Sequence, residues 1–369
     1  MAIVDKKILG LIVSPGEAEK KINTLLDIIP KSLKEESQNT EEWRVQVIVD
    51  PLTGAAESVN EIFQKMNAYS KKNAWDAIVG VTDLPIFHES KVVNSDINEK
   101  NNAVLISLPS LGWKLKKNVI KQLIIKMVQT VNKEDNYVDN NKLTNTFNGI
   151  FPKNSKKVRL KIKGTDSFHT RFILDSKIKG YANILIGMTF INNPFTMLKT
   201  LSGVLAIGFT TGAFGMAFTT MWQLSYLFSE WRLLLASLAS ILGMLVWITI
   251  SHNLWELPSK KNKKKFRKLY NLTTILTLLS SILIFYFILF ISFSLFSLTL
   301  LPPSFLGQTL GIKHGVGVTH YLDIAWFASS LATVVGAIGI GLTDEELVLE
   351  STYGYRQKYR YITLAKRKK

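Results

Sequence analysis

Strand-then-helix repetition in the first third of the chain and four long uncharged apolar stretches in its second half predict a two-part protein. The expected architecture is a cytoplasmic α/β domain with a parallel sheet in three layers, joined to an α-helical membrane domain of four transmembrane helices. A net charge of +17 over 369 residues, gathered into three segments, supplies the orientation.

The strands come first. "KILGLIVSP", "RVQVIVDP", "DAIVGVTD" and "NAVLISLP" are rich in Val, Ile and Leu without strict alternation, as expected of strands covered on both faces. Between and after them, "EAEKKINTLLDIIPKSLKEE", "AAESVNEIFQKMNAYSKK" and "LKKNVIKQLIIKMVQTVNK" carry apolar residues at helical spacing. The opening apolar run, Ile8 to Ser14, is too short for the core of a signal peptide and is stopped by Pro15-Gly16, so it reads as a strand. These elements fill residues 1–137. A basic linker with a hairpin, including "VRLKIKG" and "HTRFILD", is expected over 138–179.

"GYANILIGMTFINNPFTMLK" is apolar but interrupted at Asn192-Asn193-Pro194, which predicts a helix lying in the membrane interface over 180–197. The four spans follow within 198–343: Thr200 to Ser229, Leu233 to Trp255, Leu269 to Ile312 and Ile324 to Thr343 contain no Asp, Glu, Lys or Arg. "KKVRLKIKG" before the first span, "KKNKKKFRK" at residues 260–268 and "AKRKK" in the tail at 344–369 all fall on one face of a four-span arrangement. The positive-inside rule then places both termini in the cytoplasm. The small-residue spacings of Gly208 and Gly212, and of "ASSLATVVGAIGIG", predict close packing of the first and fourth spans, with a homo-oligomer face as the alternative. His252 beside Trp255 fits an interfacial anchor.

Composition narrows the function. Absence of cysteine excludes disulfides, thiolate metal sites and a cysteine nucleophile. The basic loop at 260–268 has only Phe266 as an interleaved aromatic, so anionic lipid headgroups, rather than nucleic acid, are its expected partner. Neither GxGxxG nor GxxxxGK[ST] follows the first strand, and no Ser-His-Asp set stands in a nucleophile elbow, so the residues assign no cofactor and no catalytic group.

Candidate binding residues come from the strand ends, because ligands of open parallel sheets bind beyond the carboxyl ends of the strands. Those ends carry Ser14 and Gly16, Asp50 in "DPLTG", Thr82 and Asp83 in "TDLP", and Ser107 in "SLPSLG". Asp50 and Asp83 can hold a metal, a ribose hydroxyl or an amine, and Ser14 with Gly16 an anion. Such residues also serve as turns and caps, and both readings stay open. His314, His320 and Asp323 form a second, weaker trio in the loop "KHGVGVTHYLD", with no metal assigned.

The segments "WDAIVGVTDLPIF", "AVLISLPSLG", "NPFTMLKTLSGVLAIGFTTGAF", "ISHNLWE", "LPPSFLGQTLG", "YLDIAWFASSLATVVGAIG" and "YGYRQ" resemble an uncharacterised family of membrane proteins of Gram-positive bacteria, from about Lys7 to Gln357. Some members carry the label 5,10-methylene-tetrahydrofolate dehydrogenase. The chain has neither the dinucleotide-binding glycine turn nor the YxxxK lysine that activity requires, so the label adds no site residue. Three functions are open: a membrane protein whose α/β domain binds a ligand or protein and signals to the helices, a membrane-bound enzyme built on Asp83, and a transporter or accessory subunit.

Overall fold

The computed structural model describes residues 5–37, 41–51, 59–132, 147, 149–161, 168–257, 264–313 and 315–340. Part of the "DPLTG" turn, most of the stretch from 133 to 148, residues 258–263 of the basic loop, His314 and everything after residue 340 lie outside the described residues. The chain divides into two compact units between Asn192 and Asn193.

The first unit contains strands β1 (Asp5–Val13), β2 (Glu41–Val49), β3 (Ala77–Thr82), β4 (Ile86–His88), β5 (Lys91–Asn98), β6 (Ala103–Ser107), β7 (Ser155–Lys161) and β8 (Phe168–Leu174). Helices α1 (Glu17–Asn23), α2 (Ile29–Glu36), α3 (Val59–Asn73), α4 (Lys117–Asn132) and α5 (Lys177–Asn192) accompany them, with a 3-10 segment at Leu108–Lys114. The sheet order is β2-β1-β3-β6-β5-β8-β7, with β4 paired to β5. Leu9, Leu11, Val79, Val104 and Ile106 face α1, α2 and α4, while Ile12, Ile78 and Leu105 face Ile62, Phe63 and Met66 of α3. Trp75 lies flat over Gly10, where a Cβ would stand 1.9 Å from the indole.

The expected parallel sheet needs correction. β2, β1, β3 and β6 are parallel, but β5, β8 and β7 continue the sheet antiparallel, so it is mixed. Two causes are local. Glu89, with φ 54, reverses the chain between β4 and β5, and β5 has the polar sequence KVVNSDIN that no apolar pattern marks, although nearly all of it is buried. The hairpin expected as a linker is β7 and β8, and β8 pairs with β5 inside the sheet. β7, SKKVRLK, forms the end strand, and exposed Lys156, Arg159 and Lys161 suit an edge that must not recruit another strand.

The helix expected over 180–197 is likewise two. Asn193 takes a left-handed φ of 54 and Pro194 cannot continue the hydrogen-bond ladder, so α5 ends at Asn192 and α6 begins at Pro194 (Pro194–Thr200). α5 seats Gly180, Ile184, Gly187 and Met188 within the sheet unit.

The second unit continues with α7 (Ser202–Gly215), α8 (Thr219–Leu227), α9 (Glu230–Ser251), α10 (Lys264–Leu300), α11 (Pro303–Leu310) and α12 (Val318–Ile340). Among the described residues three helices, α9, α10 and α12, are long and apolar enough to cross a membrane, and a fourth candidate is the pair α7 and α8, bent by 90°. The stretch expected as one straight first span is therefore two helices with a sharp bend between them, a broken crossing or a re-entrant pair. The last turn of α7 tightens, with Ala217 N–H on Phe214 O and Phe218 N–H on Gly215 O, and Trp222 Nε1 donates to the carbonyl of Met216 at 2.8 Å. The close packing expected of small residues is present: a Cβ on Gly208 would stand 3.2 Å from Ala332 O, and one on Gly336 3.3 Å from Val204.

Candidate functional site

Register aligns the strand ends. Val13 pairs with Val49 and Val81, and Thr82 pairs with Ser107, so Ser14, Asp50, Thr82, Asp83 and Ser107 all leave the sheet at its carboxyl edge. All five are buried, Ser14, Thr82, Asp83 and Ser107 completely. Their polarity is met by local hydrogen bonds, as buried hydroxyls require. Ser14 Oγ accepts the amide of Asp83 at 3.3 Å, and Thr82 Oγ1 accepts the amide of Leu84 at 3.0 Å. Ser107 Oγ donates to Leu84 O at 2.7 Å, and Ser110 Oγ to Ser107 O at 2.6 Å. The "TDLP" turn is thereby held between β1 and β6 by hydroxyls from both.

Asp50 stands one strand further out. Its Oδ2 accepts the Tyr69 hydroxyl at 2.7 Å, and Lys65 Nζ lies 3.9 Å away. Gly16, with φ 102, is the residue before α1, and its amide points at Glu19 Oε2 at 3.4 Å. Its donor is thus directed at a carboxylate of its own helix. The structure brings Ser14, Thr82, Asp83 and Ser107 into one hydrogen-bonded set, with Asp50 and Gly16 on its flanks.

The rim is tied to α5. Asn183 Nδ2 donates to Ser110 O, and a Cβ on Gly187 would lie 1.9 Å from Pro109 O, so the 3-10 segment after β6 presses backbone to backbone on the helix.

A second constellation was invisible in the sequence. Asp96, buried on β5, accepts Arg171 Nε at 2.7 Å and faces His169 Nδ1 at 3.1 Å. A guanidinium only donates, so His88 Nδ1, 3.0 Å from Arg171 Nη1, is an acceptor and carries its proton on Nε2. His169 correspondingly donates from Nδ1 to the carboxylate. Asn94 Oδ1 and Ser95 Oγ, neighbours of Asp96 in the chain, are buried without a hydrogen-bond partner among the described residues. No sequence motif could flag the network, because Asp96 meets Arg171 only through the β5–β8 pairing. Where the hairpin runs into α5, Lys156 and Lys91 each hold the Asp175 carboxylate at 2.7 Å and lower its pKa to about 2.

In the second unit, the Tyr286 hydroxyl lies 2.9 Å from both Ser237 Oγ and Ser330 Oγ, and Trp326 Nε1 donates to Ser237. These four side chains from α9, α10 and α12 hydrogen-bond to one another and to the main-chain carbonyls of Leu233 and Trp326. His252 Nδ1 is 2.9 Å from Ser251 Oγ, at the end of α9. His320 Nδ1 accepts the amide of Gly317 at 3.1 Å, and His314 lies outside the described residues. Among the described residues no three His, Asp or Glu side chains form a group able to hold a metal.

Comparison of the chain with family models, curated proteins and solved structures yields no match.

Proposed function

We propose that this chain is an integral membrane protein whose cytoplasmic α/β domain binds a small ligand or protein partner at the strand-end rim and passes the bound state to the membrane helices. The observation that carries the reading is the contact from rim to helix. Ser107 and Ser110 fix the 3-10 segment, that segment bears on Asn183 and Gly187 of α5, and the chain leaves α5 directly for the apolar unit. A shift of the "TDLP" turn displaces the segment, and the backbone contact at Gly187 leaves α5 no slack to absorb it.

Counting α7 and α8 as one broken crossing gives four spans, which returns the basic loop at 260–268 and the basic tail to the side of the α/β domain. The loop then faces anionic headgroups. The resemblance to Gram-positive membrane proteins supports the membrane reading alone and contributes no catalytic residue.

A second reading, a membrane-bound enzyme, draws on the position of Asp83, completely buried at the end of β3 on the carboxyl edge of the sheet. A transporter draws only on the Ser237–Tyr286–Ser330 cluster, whose hydroxyls are engaged with one another and with helix carbonyls.

The test is hydrogen exchange on the full-length protein in lipid nanodiscs, with nucleotides, folates, divalent metals and phosphorylated metabolites offered by class. A ligand should slow exchange at Thr82–Leu84, at Leu108–Lys114 and in α5 together, and Asp83→Asn should remove the response. Protection of the rim without α5 would break the coupling, and silence across every class would remove the ligand reading. Turnover of an offered compound, abolished in Asp83→Asn, would replace it with the enzyme.

A further inference from the structure

α5 is apolar on two faces. One is used inside its own unit, by Gly180, Ile184, Gly187, Met188 and Ile191. The other carries Ile178, Ala182, Ile186 and Phe190 at intervals of four, which places them in one stripe along the helix. Ile178 is 84% exposed and Phe190 43% exposed. The stripe ends against Trp113, itself 68% exposed, whose ring meets Phe190 edge-on at 5.3 Å. A soluble domain seldom leaves so continuous an apolar strip uncovered.

We infer that this stripe, with Trp113, is a lipid-contact surface that seats the α/β domain in the headgroup layer of an anionic membrane. Four features choose that occupant over a protein. The residue after α5 opens the apolar unit, so the Phe190 end of the helix is tethered to any bilayer that unit enters. Exposed cations flank the strip: Lys177 and Lys179 at the start of α5, and Lys116 and Lys117 shortly after Trp113, a pattern complementary to anionic phosphates, while Lys114, next to Trp113, is half-buried and donates to Gly149 O and Phe151 O. Trp113 and Phe190 are the residue types that bury an apolar ring at the acyl boundary. The helix is also held in place independently of lipid: Ser176 Oγ accepts the Lys179 amide at 3.3 Å, and Asp175 is clamped by Lys91 and Lys156. The strip is therefore presented ready-made rather than ordered on contact.

The inference rests on the membrane reading above, and the experiment separates the two. The chain has no cysteine, so single cysteines can be placed in the full-length protein and spin-labelled without background. Ala182→Cys and Ile186→Cys report the strip, Asn154→Cys on the exposed turn before β7 reports water, and Leu283→Cys on the exposed side of α10 reports the span. Each is reconstituted in vesicles of equal parts zwitterionic and anionic phospholipid, and its accessibility to oxygen is compared with that to a water-soluble nickel chelate. The expected result is several-fold higher accessibility to oxygen at 182, 186 and 283, and to nickel at 154. Nickel accessibility at 182 and 186, or immobile labels closed to both reagents, would overturn the lipid surface in favour of water or a protein partner. Nickel accessibility at 283 would instead sink the membrane reading itself.

Discussion

Gly187→Ala tests the contact on which the proposed rim-to-helix coupling depends. The added methyl would lie 1.9 Å from Pro109 O and 2.7 Å from its carbonyl carbon. That leaves it about 1.5 Å short of ordinary van der Waals contact. Both obstructing atoms are main chain, so no rotamer change relieves them; α5 or the 3-10 segment must withdraw. Overpacking of this kind costs about 1–3 kcal/mol, and withdrawal stretches the Asn183–Ser110 hydrogen bond, worth about 1 kcal/mol. Alanine returns up to about 1 kcal/mol of helix propensity. The net expectation is about 2 kcal/mol, or roughly 30-fold faster exchange of the buried amides of β3, which open only when the sheet unit unfolds. The assay is hydrogen exchange on the full-length protein in nanodiscs, with Gly243→Ala in α9, where a Cβ meets nothing within 4 Å, as the control that should be neutral or stabilising. Unchanged exchange in Gly187→Ala would refute the argument that α5 and the rim are in rigid contact.

The Asp96 network should behave as a buried ion pair: Arg171→Met is expected to cost about 3–5 kcal/mol by orphaning the carboxylate, and Asp96→Asn with Arg171→Met together to recover most of it, read as the same exchange. Topology can be read by labelling intact cells with an impermeant maleimide: four crossings predict modification at Lys313→Cys but not at Lys261→Cys or Ala365→Cys, whereas a re-entrant α7–α8 pair predicts the reverse at all three. Glu256, just beyond α9, has its pKa raised to about 7 by burial, partly offset by Arg267. Because the folded state holds this proton more tightly than the unfolded state, its contribution to stability is full below about pH 4.5 and is lost as pH rises through 7. Melting temperature should therefore climb from pH 8 to pH 6, and Glu256→Gln should flatten that slope.

The strands that could be read in the sequence are those buried among aliphatic neighbours. "KILGLIVSP", "RVQVIVDP", "DAIVGVTD" and "NAVLISLP" became β1, β2, β3 and β6, the parallel half of the sheet. The antiparallel half escaped because β5 is stabilised by partners rather than by apolarity. Asn94, Ser95 and Asp96 are fully buried, and the charge of Asp96 is neutralised by Arg171, 75 residues away. No window of the sequence holds both residues. The break between α7 and α8 was hidden for a related reason. An uninterrupted apolar run is apolar enough for a membrane but does not specify a straight axis, and the carbonyl freed at Met216 is satisfied by an indole that looks, in sequence, like any other apolar side chain.

At the rim, sequence and fold agree on place, while the side-chain geometry bears on chemistry. Parallel register forces Ser14, Asp50, Thr82 and Ser107 onto one edge, which topology alone predicts. What topology does not predict is that the hydroxyls of Ser14, Thr82 and Ser107 all bind main-chain groups of Asp83 and Leu84, fixing the turn from three sides. A turn so held has few alternative positions, and a ligand that moves it must replace those bonds with its own. That requirement favours a polar ligand with several donors and acceptors over an apolar one. It also makes Ser107→Ala informative: losing the bond to Leu84 O should loosen the turn by about 1 kcal/mol and weaken the response of α5 to any ligand at the rim. A response of α5 that persists at full strength in that variant would show that the signal bypasses the 3-10 segment.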